Sequence, residues 1–346
     1  VSPKDRDAFD KAYDSYVREL NFHGSTGLGT FRHYSTIGDA LGWNGETESF
    51  SNEANYCLLR DVVWRRLTEL YTDEDGSPAA TSAQKEQAAK AFADAESRVW
   101  RERGKPDPMK IFLKGEPHDM KKVEENRWRL IWCPSLEDQV VDRFLFQPWV
   151  DAEIEGVATA TSKSGWNPIP EGYRQLFAAM PDEQRCLAVD KSSWDWTCPW
   201  WCVQEYVEAK LEQVADPPPG YEQAVRTRIL YVMGPGCTVV WPDGTEIRQL
   251  GYGLVKSGLL ITLSLNSACQ KFQHDVVVLG AFHLPALTLL TMGSLLWAMG
   301  DDSLVYLTVS PMPEFIEAYC RELATLGCLV KHAKISREFA GYRVTR

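Results

Sequence analysis

The stretch SLLWAMGDDSLVYLTV, residues 294–309, places two apolar, β-prone runs on either side of Gly300-Asp301-Asp302. Branched and aromatic residues favour strands, and glycine accepts the positive φ of a tight connection, so the pattern predicts a hairpin with two carboxylates at its tip. Alone the motif is weak, because Asp-rich turns are common for purely structural reasons.

Upstream, EQRCLAVDKSS (residues 183–193) predicts a short buried strand that carries Asp190 to the point where strand meets loop. Between the two acidic segments, residues 258–280 have the length and periodicity of a helix entered through a flexible Lys256-Ser257-Gly258. On that helix Thr262 and Asn266 lie four apart and share a face. Helical periodicity also marks residues 201–215, 221–233 and 312–327, with the breaker DPPPG at 216–220. CTVVW and EIRQL, joined through Pro242-Asp243-Gly244, predict a second hairpin.

Toward the N-terminus helices are expected at 56–71, 83–103 and 137–150, with a surface loop at 72–82. Two β-prone segments, 109–113 and 128–132, flank a charged stretch and predict a basic ribbon or looped finger. Neither an internal repeat nor a low-complexity linker interrupts the chain, so helices and strands are expected to interleave in an α+β architecture.

The chain has 346 residues, 44% of them hydrophobic and 25% charged, enough for a deep core. Its formal net charge of −11 argues against indiscriminate coating of nucleic acid, which is driven by phosphate neutralisation. Any nucleic-acid site must be locally basic, and positive charge does gather between Arg98 and Arg129. Acidic residues are interspersed there, so a solvated, ion-paired surface is the plain alternative. Nine scattered cysteines predict no disulfide framework and a reducing environment. Cys198 and Cys202 lack a second ligand pair, which favours packing over zinc. His23 and His118 fall in no ligand or nucleophile spacing. The apolar run at 284–299 is too short to span a bilayer and is expected in the core. The first residue, Val1, suggests a processed or partial chain.

Phosphoryl transfer requires neutralised charge on the entering and leaving oxygens, which a pair of divalent cations supplies. Mg²⁺ prefers oxygen ligands and is held by a few carboxylates together with waters and substrate phosphates. Carboxylates at the ends of neighbouring strands are the expected protein contribution, and Asp190 and Asp301 are the leading candidates.

Taken in order, these segments resemble the palm of positive-strand RNA virus RNA-dependent RNA polymerases, especially the sobemovirus and polerovirus-like group, over residues from about 110 to 334. The first palm motif is matched by Asp190 and Asp195, the second by Ser257, Gly258, Thr262 and Asn266, the third by Gly300-Asp301-Asp302. The resemblance implies an α+β right-hand polymerase fold with an antiparallel palm sheet packed on helices and a mixed fingers subdomain. It divides the chain into fingers and fingertips at 1–182, palm at 183–204, a fingers insertion with a β-hairpin at 205–255, and palm again at 256–346. No thumb follows before Arg346, which implies a fragment or an extremely reduced thumb.

The same resemblance implies the roles. Two Mg²⁺ or Mn²⁺ ions would be held by Asp190, Asp301 and the auxiliary Asp302. Asp195, Thr262 and Asn266 would contact the nucleotide sugar, with Ser257 and Gly258 in the same motif. Lys114, with Glu116, and the pair Arg127 and Arg129 match the fingers motif over the nucleotide channel, and Arg129 is the first choice for the triphosphate. Lys334, with Lys331 as alternative, would be the general acid on the leaving pyrophosphate. Ser35 to Gly38 is a candidate template-guiding motif. Implied partners are RNA template, nascent RNA, NTPs, and other viral replication proteins or a protein primer, in replication complexes of the host cytoplasm.

Two other readings share these residues. A reverse transcriptase would carry Tyr two before the first hairpin Asp, where Met299 stands, and an aromatic gate where Asp195 stands. A non-catalytic RNA-binding relative would keep the palm without turnover.

Overall fold

In the computed structural model, which describes residues 4–72, 88–117, 120–280 and 294–344, the Asp5 carboxylate accepts the Ala8 amide at 2.9 Å and opens a helix at Arg6–Arg18. Sequence reading had no element here. Its Phe9, Tyr13 and Val17 recur at helical spacing and are buried. The loop expected at 72–82, the start of the 83–103 helix, His118 and most of the apolar run at 284–299 lie outside the described residues.

Two compact units partition the chain: Val1–Gln147 with Lys210–Tyr252 and Lys256–Leu260, and Pro148–Ala209 with Gly253–Val255 and Ile261–Arg346. In the first, the Tyr221–Met233 helix is buried on nearly every side and packs on the helices Glu53–Tyr71 and Ala88–Trp100. A guanidinium at its centre would be costly there unless paired. Arg228 reaches Asp142 at 2.6 Å and Asp138 at 2.9 Å, and Arg66 joins Asp138 to Asp107 at 3.1 and 2.8 Å.

The ribbon and the second hairpin are not separate. Leu130–Cys133, Met109–Leu113, Thr238–Val240 and Glu246–Arg248 form one four-stranded sheet in that order, and its central pair, Met109–Leu113 with Thr238–Val240, runs parallel. No local pattern announces a pairing between strands so far apart in sequence.

In the second unit a four-stranded antiparallel sheet has the order Val330–Ile335, Cys186–Lys191, Asp302–Tyr306, Leu295–Met299. Side chains alternate between its faces. Cys186, Ala188 and Leu304 face a core with Trp166, Leu176, Trp297 and Phe339. The Thr262–Gly280 helix packs on the hairpin strands and on the Pro313–Thr325 helix. Residues 161–163 cover the outer edge: the Lys163 amide donates to Ala298 O at 2.8 Å, and the Ala298 amide to Thr161 O at 3.0 Å.

Several helix limits differ from expectation by a few residues, two of them at instructive places. Leu136–Glu155 runs five residues beyond the expected end at 150, with Pro148 inside it removing one backbone donor without ending the helix. The helix expected from residue 258 starts only at Thr262. In the segment before it Lys256 and Leu259 are buried, while Ser257 and Gly258 are exposed. A Cβ on Gly258 would lie 1.8 Å from Trp132 O, so this glycine is required by close backbone approach.

Candidate active site

The hairpin closes as expected. Met299 pairs with Asp302, leaving Gly300 and Asp301 as a two-residue connection, and Gly300 has φ +67° at the first position, where a primed turn demands glycine. Ser267 on the neighbouring helix holds this turn, accepting the Gly300 amide at 3.0 Å while donating to Leu263 O at 2.8 Å. No motif in the sequence reading included Ser267, although it follows Asn266 directly.

Val189 pairs with Ser303, so Asp190 is one step further along its strand, beside Asp302. Both carboxylates line one cavity of about 180 Å³, together with Ser303, His332, Lys334 and Glu338. Asp301 is exposed on the turn, and Asp302 is half-buried. Burial first, then the charges of Asp301, Asp190 and Glu338, push the Asp302 carboxyl up to about 6, against a smaller opposing pull from Lys331. Negative charge is thus concentrated where the strands end.

The two lysines behave differently. A β-bulge between Val330 and His332 re-aims the strand, and Lys331 Nζ reaches Asp190 Oδ2 at 2.8 Å. Lys334 pairs in register with Ala188, lines the cavity, and forms its ion pair with Glu338 at 2.6 Å. Glu338 and His332 also escaped the sequence reading, since neither belongs to a recognisable spacing.

Among the described residues no group of three or more His, Cys, Asp or Glu is arranged as a ready metal cage. The donor chemistry at the strand ends nevertheless suits Mg²⁺, which takes one or two carboxylates and completes its shell with water and phosphate. All nine cysteines are free thiols, Cys198 and Cys202 are buried, and the Cys198 and Cys269 sulfurs approach to 4.0 Å.

The sugar-contact candidates occupy the same unit. Ser193, at φ +50°, turns the chain into the short Trp194–Thr197 helix that carries Asp195, and the Asp195 carbonyl accepts the Val255 amide at 2.8 Å. Thr262 opens the long helix and Asn266 is buried one turn on. The Oδ1 of Asn266 has no hydrogen-bond partner among the described residues.

The remaining candidates lie in the first unit. Ser257 Oγ donates to Leu130 O at 3.2 Å, beside the Gly258 approach to Trp132. Lys114 and Arg129 are joined across the ribbon by a backbone bond of 2.9 Å, and Glu116 pairs with both, at 2.8 and 2.7 Å. Arg127 pairs with Glu125 at 3.0 Å. Much of this basic stretch is therefore ion-paired surface, as its interspersed acids implied.

The chain is similar to known proteins in sequence and in fold. Residues 72–346 match the family model described as viral RNA-dependent RNA polymerase. Protein P1-P2 of potato leafroll virus is 29% identical over 230 residues, covering 62% of this chain and 20% of that protein. The RNA-directed RNA polymerase of mushroom bacilliform virus is 30% identical over 200 residues, covering 57% and 46%. Replicase polyprotein P2AB of southern bean mosaic virus is 34% identical over 179 residues, covering 51% and 18%. Among solved structures, the Sicinivirus 3Dpol RNA dependent RNA polymerase superposes with a TM-score of 0.58 at 17% identity, over 90% of this chain and 55% of that one. The matched stretch thus spans less than two thirds of each relative. Among the described residues no helix is long and apolar enough to cross a membrane.

Proposed function

The chain belongs to the viral RNA-dependent RNA polymerase family, and from that membership we propose that it joins nucleoside monophosphates from NTPs onto a nascent RNA strand under the direction of an RNA template. One observation carries the reading. Asp190 and Asp302 line a single cavity at the ends of paired strands, next to Asp301, and burial together with the charges of Asp301, Asp190 and Glu338 raises the Asp302 carboxyl to about 6. Carboxylates crowded in this way favour a bound cation.

Asp190, Asp301 and Asp302 would hold two Mg²⁺ or Mn²⁺ ions. When bound, such ions neutralise charge on the entering and leaving oxygens of phosphoryl transfer. Gly300 and Ser267 keep the carboxylate-bearing turn in place. Asp195 accepts a hydrogen bond from the ribose 2′-OH, and Thr262 and Asn266 present polar groups on one helix face to the same sugar. Arg129, Arg127 and Lys114 supply phosphate contacts, with arginine suited to bidentate binding, and Ser257 and Gly258 shape the loop of the second motif. Lys331 or Lys334 donates a proton to the leaving pyrophosphate.

Under this reading residues 1–182 and 205–255 serve as fingers and residues 183–204 and 256–346 as palm. RNA template, nascent RNA, NTPs and viral replication proteins or a protein primer are the partners, in replication complexes of the host cytoplasm.

The test is primer extension by the protein with NTPs or dNTPs, alongside metal titration of Asp190→Ala and Asp302→Ala. Extension with NTPs that is lost together with metal binding in both variants is the expected result. Equal use of dNTPs on a DNA primer would sink the RNA assignment. Metal binding without any templated addition would favour the non-catalytic palm.

A further inference from the structure

The Thr262–Gly280 helix carries three buried amides on one face. Asn266, Gln270 and Gln273 follow at spacings of four and three and are 5%, 2% and 0% exposed. Residues so spaced are neighbours on a helix surface. A buried amide without partners is costly, because its groups have given up water and gained nothing in exchange. Yet Asn266 Oδ1, Gln270 Nε2, Gln270 Oε1 and Gln273 Nε2 all lack a partner among the described residues. Leucine or methionine would fill position 270 at no such cost.

The unmet groups are complementary in order. Gln273 Oε1 already accepts Lys191 Nζ at 2.7 Å, and Lys191 is the residue after Asp190. Gln273 then has a free donor, and Gln270, three residues earlier on the same helix face, has a free acceptor. Gln270 in turn has a free donor, and Asn266 a free acceptor. Small rotamer changes would close the series, since Gln and Asn at these spacings hydrogen-bond on helices.

We propose that Lys191, Gln273, Gln270 and Asn266 form a hydrogen-bond relay, open in this state, that closes when a ribonucleotide binds and fixes the donor side of the Asn266 amide toward the sugar. This rests on the nucleotide reading above. With Oδ1 tied inward, Asn266 offers Nδ2, which needs an acceptor on the ligand. A 2′-hydroxyl meets the demand because it accepts from Asn266 while donating to Asp195. A deoxyribose leaves Nδ2 without a partner. Gln270 is then a positioning residue that acts through Asn266, and the unmet hydrogen bonds of the free protein are the cost of that selectivity.

The experiment compares wild type, Gln270→Met, Asn266→Ala and the double variant in the full chain. Equilibrium binding of GTP and dGTP with Mg²⁺ is measured beside Tm, and KM and kcat beside both. Gln270→Met is expected to raise Tm and to lower the ribo-over-deoxy binding ratio about tenfold, mainly through weaker GTP binding and higher KM, with little change in the double variant relative to Asn266→Ala. A folded Gln270→Met protein with a wild-type ratio overturns the relay, as does an additive loss in the double variant. A lower Tm overturns the open state, because it means that the amide is already satisfied. Failure of the wild type to extend a primer would fall on the polymerase reading, and the binding ratio would still test the relay.

Discussion

Lys331 Nζ lies 2.8 Å from Asp190 Oδ2, so the carboxylate proposed above as a metal ligand already has a cation beside it. The bulge at Val330/His332 makes this pair possible. Metal binding must displace the ammonium or share the carboxylate with it. Both side chains are substantially exposed, which limits the pair to about 1 kcal/mol or less. Lys331→Gln should therefore lower the Mg²⁺ concentration for half-saturation by about two- to fivefold. An unchanged midpoint in a metal titration would show that the pair does not compete.

Asp302 should trade stability for function. A carboxyl raised to about 6 by burial and by its acidic neighbours binds a proton in the folded protein that the unfolded chain has already lost. Stability of the metal-free protein therefore falls as pH rises from about 4 to about 6, and the cost is fully present at neutral pH. Discounted for partial exposure, it amounts to about 1 kcal/mol. Asp302→Asn is expected to gain about that much in urea unfolding at neutral pH without metal, while losing metal affinity. A less stable metal-free variant would contradict the electrostatic account.

Gly258→Ala should cost about 2–4 kcal/mol, because the new Cβ meets the Trp132 carbonyl at 1.8 Å and backbone cannot step aside as a side chain can. The expected signature is a lower urea midpoint with an unchanged slope. A wild-type midpoint would mean that the second-motif loop moves freely, against its packing on the Leu130–Cys133 strand.

His274 sets a pH limit on the fold. It is buried, with Nδ1 2.7 Å from Tyr319 Oη and Nε2 3.2 Å from Ser294 Oγ, and burial lowers its pKa to about 4. The unfolded chain takes up a proton near 6.5 that the folded protein refuses until about 4. Stability from this residue is thus complete above 6.5 and drains away between 6.5 and 4, by about 3 kcal/mol in all. His274→Gln should flatten that part of the pH–stability curve. An equally steep curve in the variant would assign the loss to other groups.

Much of the local structure was legible. Apolar runs around Gly300-Asp301-Asp302 announced the hairpin, CLAV announced the Asp190 strand, and Tyr221–Met233 was bounded by its breakers. Each signal lies within one turn or strand. The Arg6–Arg18 helix was missed although its apolar positions recur at helical spacing, and the helix that starts at Thr262 was expected four residues earlier.

The candidate site divides in the same way. Order and spacing in the sequence, through their resemblance to a polymerase palm, singled out Asp190, Asp195, Thr262, Asn266 and the acidic hairpin, and the turn and the helical face that carry most of them are properties of adjacent residues. Tertiary structure alone decided that Asp302 shares a cavity wall with Asp190, that a bulge sends Lys331 and not Lys334 to that carboxylate, and that Gly258 is held against Trp132. It also decided that the amides of Asn266, Gln270 and Gln273 are buried without partners. Those facts depend on strand register, burial and distance between segments far apart in the chain, and such quantities exist only once the chain has folded.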